Sequence, residues 1–254
     1  MDTVQRLAEL VREQQPCVAL TGAGISTESG IPDFRSPTGI WAHVDPMEYA
    51  SLSAFRRDPE RVWSFYRLRI AMLAQAKPNR AHAALAELER MGFVRAVITQ
   101  NIDLLHGRAG SRDVVEVHGS IRSSSCRRCG CTYPLEHVLG LLETSEAAPR
   151  CEICDAVLKP DVVFFEEMLP EAAIDRAFDL CRAARLLLVV GSSLEVYPVA
   201  GLPDRVLAAG GRLAIVNLGA TPHDRHADLK VEEAAGDVLE RVVSILAANP
   251  AAGR

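Results

Sequence analysis

The chain lacks any run of apolar residues long enough to span a bilayer, and its first residues, 1–7, lack the apolar centre of a signal peptide. Both absences set the expectation of a soluble, cytoplasmic protein. It also lacks a basic field. Lys and Arg number 28 against 33 Asp and Glu, a net charge of −5. Phosphate binding wants positive charge, so nucleic acid is a poor fit as the main partner, whereas an acidic surface suits a basic peptide or protein. No internal repeat is visible, and the strict G-x-G-x-x-G of dinucleotide folds is missing because Thr27 stands where the third glycine would be. What remains is ample: 254 residues with 48% hydrophobic side chains can bury the core of one large α/β domain, or of a domain carrying an inserted module.

Four of the seven cysteines fall into two pairs, Cys126-x-x-Cys129 and Cys151-x-x-Cys154. Each pair lets two thiolates reach one metal from a tight turn, and the two together complete a tetrahedral sulfur shell that favours zinc. Such a shell keeps no position open for water or substrate, so the metal is expected to be structural. The alternatives are accidental pairs or a redox dithiol, but a redox pair stands alone at a helix start and does not face a second pair across 21 residues. Zinc ribbons that bind nucleic acid or protein share this spacing. Cys17, Cys131 and Cys181 read as ordinary thiols, and the overall usage suits a reducing compartment.

Along the chain, Val4, Leu7, Ala8 and Val11 predict an amphipathic helix over 2–14. The run Cys17 to Leu20 then ends in a glycine turn at 21–26 followed by a helix, the phosphate-cradling order of a dinucleotide fold. Val94–Ile98, Arg185–Val190 and Leu213–Val216 read as doubly buried parallel strands. Each stops at a polar or glycine-rich stretch, so four strand ends point at one crevice. Two segments, about 36–77 and 123–158, leave this alternation and are expected to form a smaller domain. The tail after Ala247 is expected to fray.

The motifs at these strand ends identify a family resemblance. Gly22-Ala23-Gly24-Ile25-Ser26, Gly30 to Arg35, Thr99 to Asp103, His118-Gly119, the four paired cysteines, Val162 to Phe165, Gly191-Ser192-Ser193 and Asn217-Leu218-Gly219 occur in the order seen in sirtuins. The chain resembles a bacterial sirtuin, an NAD-dependent protein lysine deacylase, over essentially its whole length. The resemblance implies a Rossmann-like doubly wound α/β domain built from residues 1–35, 78–122 and 159–254. It also implies a small domain with a helical module (36–77) and a zinc-ribbon module (123–158). NAD is then a consumed co-substrate, one zinc ion is structural, the partners are acylated lysines of proteins or peptides, and the chain acts as a monomer.

The resemblance also distributes roles. His118 follows the apolar stretch 114–117 and has the pKa range of a base near neutrality. A lone histidine there is more often structural, but the family assigns it the general-base role towards the ribose hydroxyls, with Asn101 beside it. Gln100, Asn101, Ile102 and Asp103 would line the ribose and nicotinamide. From the residues alone, Asn101 and Asp103 can equally cap the helix that follows. Asp33, Phe34 and Arg35 lie in a loop too rich in Gly, Pro and Asp to be helical, where Phe34 can shield a ribose carbon and Arg35 can meet a phosphate. By resemblance, Trp41, Gly191, Ser192, Ser193, Asn217, Leu218, Gly219 and Ala235 complete the cofactor site.

Tyr66 and Arg69 stand three apart on one helical face. A phenol beside a guanidinium suits a short carboxylate, or Tyr66 packs while Arg69 pairs with Glu60. Sirtuins that remove succinyl and malonyl groups have Tyr-x-x-Arg here with an alanine sixteen residues earlier, which is Ala50. Other stretches match general deacetylases, so dual activity is expected. Val163, Phe165 and Glu166 would meet the substrate peptide. Glu166 departs from the family, which has glycine there; it removes easy access to positive φ and adds charge beside the acyl channel. A plain deacetylase, a silent NAD or ADP-ribose module and a zinc-ribbon nucleic-acid binder are the competing readings.

Overall fold

The computed structural model describes residues 2–248; of the tail after Ala247 expected to fray, Ala248 ends the last helix and 249–254 lie outside the described residues. Nine strands run β1 (Cys17–Thr21), β2 (Val94–Thr99), β3 (Val114–Glu116), β4 (Gly119–Cys126), β5 (Thr132–Pro134), β6 (Leu158–Val162), β7 (Leu186–Val190), β8 (Arg212–Val216) and β9 (Leu229–Val231) among the described residues. The α-helices are α1 (Thr3–Glu13), α2 (Pro46–Tyr49), α3 (Leu52–Arg57), α4 (Pro59–Gln75), α5 (Arg80–Arg90), α6 (Leu105–Ala109), α7 (Leu135–Thr144), α8 (Glu171–Ala183), α9 (Leu202–Ala208) and α10 (Ala235–Ala248). None of them is long and apolar enough to cross a membrane, among the described residues.

Six strands form one sheet in the order β3-β2-β1-β7-β8-β9, and every pairing in it is parallel. The sequence dictates this arrangement. β1 and β7 are buried at every position, which requires helices on both faces. Leu186, Leu188 and Val190 pack with α1, α5 and α10, while Leu187 and Val189 pack with α8 and α9. This is the doubly wound sheet expected from the apolar runs. The chain reverses its direction of winding between β1 and β7, so the loops leaving these neighbours diverge and open a crevice at their carboxyl ends. One local expectation fails: the glycine turn after β1 leads into a 3-10 helix, Ala23–Ser29, and not an α-helix. Gly30, at φ 82, ends it.

The second sheet, β5-β4-β6, is antiparallel and carries the paired cysteines. Its apolar face and the helices α3, α4 and α7 share one core that includes Phe55, Trp63, Tyr133, Val138, Leu158 and Phe164. Polar contacts fasten the two segments together: Trp63 Nε1 donates to the Leu158 carbonyl at 2.7 Å, and the Ala148 amide donates to Glu60 at 2.6 Å. Glu60 is thereby occupied and takes no part in an ion pair with Arg69.

Candidate active site

The crevice is a cavity of about 750 Å³, within the range of roughly 300–1,000 Å³ typical of small-molecule sites. Its floor is the crossing of the loops after β1 and β7. Gly24 N donates to Gly191 O at 2.8 Å, and Gly22 N to Val190 O at 3.2 Å. A β-carbon on Gly24 would fall 2.8 Å from the Gly191 carbonyl oxygen, and one on Gly191 (φ 60) would fall 2.2 Å from Ile25 N. The glycines are therefore required for backbone to pass backbone. The amides of Gly22, Gly24 and Ile25 all donate to protein carbonyls, and Gly22 and Gly24 line the cavity. Ala23 and Ser26 line the cavity, but Ile25 does not: its side chain is fully buried in the core beneath. Gln100 Nε2 reaches Ser192 Oγ at 2.9 Å and ties the ends of β2 and β7 together.

Beneath the loops lies a polar network that the sequence did not disclose. Ser26 Oγ donates to Asp103 Oδ2 at 2.7 Å and accepts from Asn101 Nδ2 at 3.0 Å; Asn101 Nδ2 also reaches the Gly22 carbonyl at 3.1 Å. Asp103 Oδ1 accepts from Leu105 N at 2.9 Å, so the capping alternative holds for Asp103 while its side chain still borders the cavity. Thr21 Oγ1 donates to Thr99 Oγ1, and His106 Nε2 bonds Thr21 at 2.9 Å. His106 must then carry its proton on Nε2, and Nδ1 has no partner. His82 joins through Nδ1 to Asn79 Oδ1 at 2.9 Å and packs its ring 4.9 Å from that of His106. Burial pulls His82 down to about 4; burial and then the His82 charge pull His106 down to about 3. Both are neutral spacers. Only the capping box starting at Asn79 hinted at His82.

His118 stands where β3 ends and β4 begins. Its Nδ1 lies 3.0 Å from the Gln100 carbonyl. A carbonyl only accepts, so the neutral ring keeps its proton on Nδ1 and presents Nε2 as the basic nitrogen. Burial, opposed by that hydrogen bond and aided by the Arg35 charge, lowers its pKa below the ordinary histidine value. The following Gly119 is obligatory: φ is 68, and a β-carbon there would lie 2.1 Å from Asp161 O. His118 O accepts from Val163 N at 2.8 Å, which seats the stretch 162–166 against the base.

Asp33, Phe34, Arg35 and Trp41 lie on the cavity rim. Asp33 Oδ1 holds the turn by accepting from Arg35 N at 3.0 Å and Ser36 N at 2.8 Å. Arg35 Nε pairs with Glu195 at 2.9 Å, a rim carboxylate that sequence reasoning passed over. Asn217, Leu218 and Gly219 leave β8 and line the cavity, as do Ser193 and Ala235. Glu28, also unanticipated, accepts from Gly236 N at 3.0 Å and fastens the start of α10 to the glycine loop.

Tyr66 and Arg69 both face this cavity, which Ala50 also lines. They are buried, at 5% and 8% exposure. Burial pushes the Tyr66 phenol up and the Arg69 guanidinium down, with Tyr66 and Asp103 opposing the latter. Arg69 makes no ion pair among the described residues; its guanidinium rests 4.6 Å from the centre of the Phe34 ring. The Phe164 ring stacks on Tyr66 at 5.2 Å, and the Lys159 ammonium lies 4.0 Å from its centre. Val163, Phe165 and Glu166 also line the cavity. Glu166 corrects an expectation. It adopts φ 70, a region that costs a residue with a β-carbon roughly 1–2 kcal/mol. Its carboxylate offsets this by accepting from Ser53 N at 2.8 Å and Ser53 Oγ at 3.1 Å. The charge is thus directed at the start of α3 and not at Arg69.

The four paired cysteines converge as their spacing requires, with all sulfurs within 4.8 Å of one another. The contacts Cys126–Cys154 and Cys129–Cys151 are 3.4 Å and Cys129–Cys154 is 3.6 Å, near the edge of about 3.8 Å that a tetrahedral shell of 2.3 Å zinc–sulfur bonds gives. The donor set and its geometry fit one structural zinc. None of the four borders the cavity.

Known proteins share this architecture. A protein-family model described as "Sir2 family" matches residues 22–198. The NAD-dependent protein deacetylase of Sulfolobus acidocaldarius is 46% identical over 244 residues, which cover 96% of this chain and 95% of that protein. The NAD-dependent protein deacylase of Pyrococcus furiosus is 44% identical over 239 residues, covering 93% and 95%. Both are archaeal proteins, so the motifs do not single out bacterial members. The solved structure "Sir2-p53 peptide-NAD+" superposes with a TM-score of 0.87 at 43% identity, covering 96% of this chain and 98% of that one.

Proposed function

The chain belongs to the Sir2 family, and from that premise we propose that it is an NAD-dependent protein-lysine deacylase whose pocket admits succinyl and malonyl groups as well as acetyl. Deacylation is the activity named for the relatives at 44–46% identity. The observation that carries the acidic-acyl part is the pair Tyr66 and Arg69. They are buried, face the cavity, and Arg69 has no carboxylate partner among the described residues. A buried guanidinium without a counter-ion is poised for a bidentate carboxylate. Ala50, a small residue lining the same cavity, leaves room for the longer chain.

The geometry supports the following roles. Bound NAD supplies an electrophilic ribose carbon and nicotinamide as the leaving group. His118, held by the Gln100 carbonyl, offers Nε2 to take a proton from a ribose hydroxyl, and its lowered pKa keeps it neutral and competent. Asn101 is fixed through Nδ2 to Gly22 and Ser26, which leaves its carbonyl oxygen to orient polar groups in the cavity. Phe34 and Trp41, 5.1 Å apart, cover the reaction centre against water. The stretch Val163 to Phe165 receives the peptide backbone. Zinc on Cys126, Cys129, Cys151 and Cys154 holds the three-stranded sheet on which His118 and Val163 converge. The same reading divides the chain into the cofactor domain (1–35, 78–122, 159–254) and a small domain of modules 36–77 and 123–158. It sets the enzyme in a reducing cytoplasm as a monomer. Incubation with NAD and peptides bearing acetyl-, malonyl- or succinyl-lysine tests it. Release of free lysine from acetyl peptides alone would reduce the reading to a plain deacetylase.

A further inference from the structure

We propose that Glu166 determines acyl-chain length selectivity by bolting the substrate-facing turn to the segment that supplies Ala50. The proposal rests on the reading that the acyl group occupies the end of the cavity bounded by Ala50, Tyr66 and Arg69. Ala50 is buried and lines the cavity. Its carbonyl accepts from Phe165 N at 2.8 Å, and Leu52 N donates to Phe165 O at 3.0 Å. Ser51 and Phe165 thus face each other as an isolated parallel bridge. A single bridge outside any sheet is weak by itself.

Glu166 and Ser53 close the bridge one step further on, through the hydrogen bonds of 2.8 and 3.1 Å. Ser53 Oγ lies 3.1 Å from Ser51 Oγ, which in turn donates to Met47 O at 2.7 Å and accepts from Ala54 N at 3.1 Å. Residues 47–54 and the turn at 165–166 are thereby one unit. The adjacent carboxylate works on the other side. Glu167 pairs with Lys159 at 2.8 Å and Arg127 at 2.7 Å, and accepts from Phe164 N at 2.9 Å. The turn therefore stays anchored to the three-stranded sheet whatever stands at 166, and only its tie to Ala50 depends on Glu166. Glycine at 166 would adopt the same φ freely but would leave the bridge on its two backbone bonds. A wall that cannot recede rejects long chains by overpacking; an unbolted one admits them.

The test is a kcat/KM series for acetyl-, butyryl- and hexanoyl-lysine in one peptide sequence, on wild type, Glu166→Gly, Glu166→Gln, Ser53→Ala and Ala50→Val. Glu166→Gly should raise the hexanoyl-to-acetyl ratio about ten-fold, the scale of one lost hydrogen bond to a charged group. Glu166→Gln and Ser53→Ala should move it part of the way in the same direction. A purely structural loss would lower all three substrates together and leave the ratio in place, which would overturn the proposal. Ala50→Val reports separately on the site: it should lower the same ratio. If it does so while Glu166→Gly leaves the ratio unchanged, the role of Glu166 is refuted and the acyl site stands. If Ala50→Val has no effect on the ratio, the placement of the acyl group is wrong and the proposal falls with it.

Discussion

Replacing Arg69 with methionine should separate acidic from neutral acyl groups. The side chain is 8% exposed, borders the cavity, and has only the Phe34 ring beneath its guanidinium, 4.6 Å away. Burial lowers its pKa, but arginine starts high enough to remain a cation at neutral pH. A succinyl carboxylate that meets this cation gains charge-assisted hydrogen bonds, worth about 1.5–3 kcal/mol. Their loss corresponds to about a ten- to hundred-fold fall in kcat/KM for succinyl-lysine. Acetyl-lysine has no such group to lose. Its rate changes only through the cation–π contact to Phe34, about 0.5–2 kcal/mol, set against relief of a buried unpaired charge. Acetyl-lysine kcat/KM should therefore stay within about three-fold of wild type. Steady-state kinetics on one peptide sequence carrying each acyl group reads both numbers. Equal losses on the two substrates would mean that Arg69 only supports the helix and its neighbours, and the acidic-acyl reading would have to be dropped.

His118→Ala should abolish deacylation while NAD binding, followed by calorimetry, survives; wild-type turnover in that variant would remove His118 as the base. Because burial depresses the His118 pKa, kcat/KM should hold on acidification past pH 6.5 and fall only below it, and a fall beginning above pH 7 would contradict the assignment. His82 and His106 take up protons in the unfolded chain near 6.5 but in the folded one only near 4 and 3. The stabilisation from keeping them neutral is complete above pH 6.5 and is lost as pH falls, by about 1.4 kcal/mol per pH unit for each. Denaturant melts between pH 6.5 and 5 should show that slope, and His106→Asn should roughly halve it. Cys126→Ala or a strong chelator should melt the three-stranded sheet and lower activity through structure; metal analysis should give one zinc per chain, and full activity in zinc-free protein would refute a structural role.

The strands were legible because parallel strands covered on both faces are written as unbroken apolar runs, as in 186–190. The cysteine shell was legible because its spacing states its geometry. What escaped reading was fixed by tertiary contact. The glycines at 22 and 24 read as a phosphate-cradling turn, but that they and Gly191 also let two loops cross is something no single segment encodes. Ile25 sits within the motif but points into the core. His82 and His106 come from separate helices and meet only under the folded loops. Glu166 looked incompatible with positive φ, and it adopts that conformation because Ser53, 113 positions away in sequence, supplies two hydrogen bonds.

The most direct test incubates the purified protein with NAD and, in parallel, acetyl- and succinyl-lysine peptides, then follows products by mass spectrometry. The expected products are nicotinamide, unmodified lysine peptide, and an ADP-ribose ester heavier by the acyl group supplied, with both peptides as substrates and none of these products from His118→Ala. Peptides that stay acylated, with NAD intact, would contradict the deacylase reading.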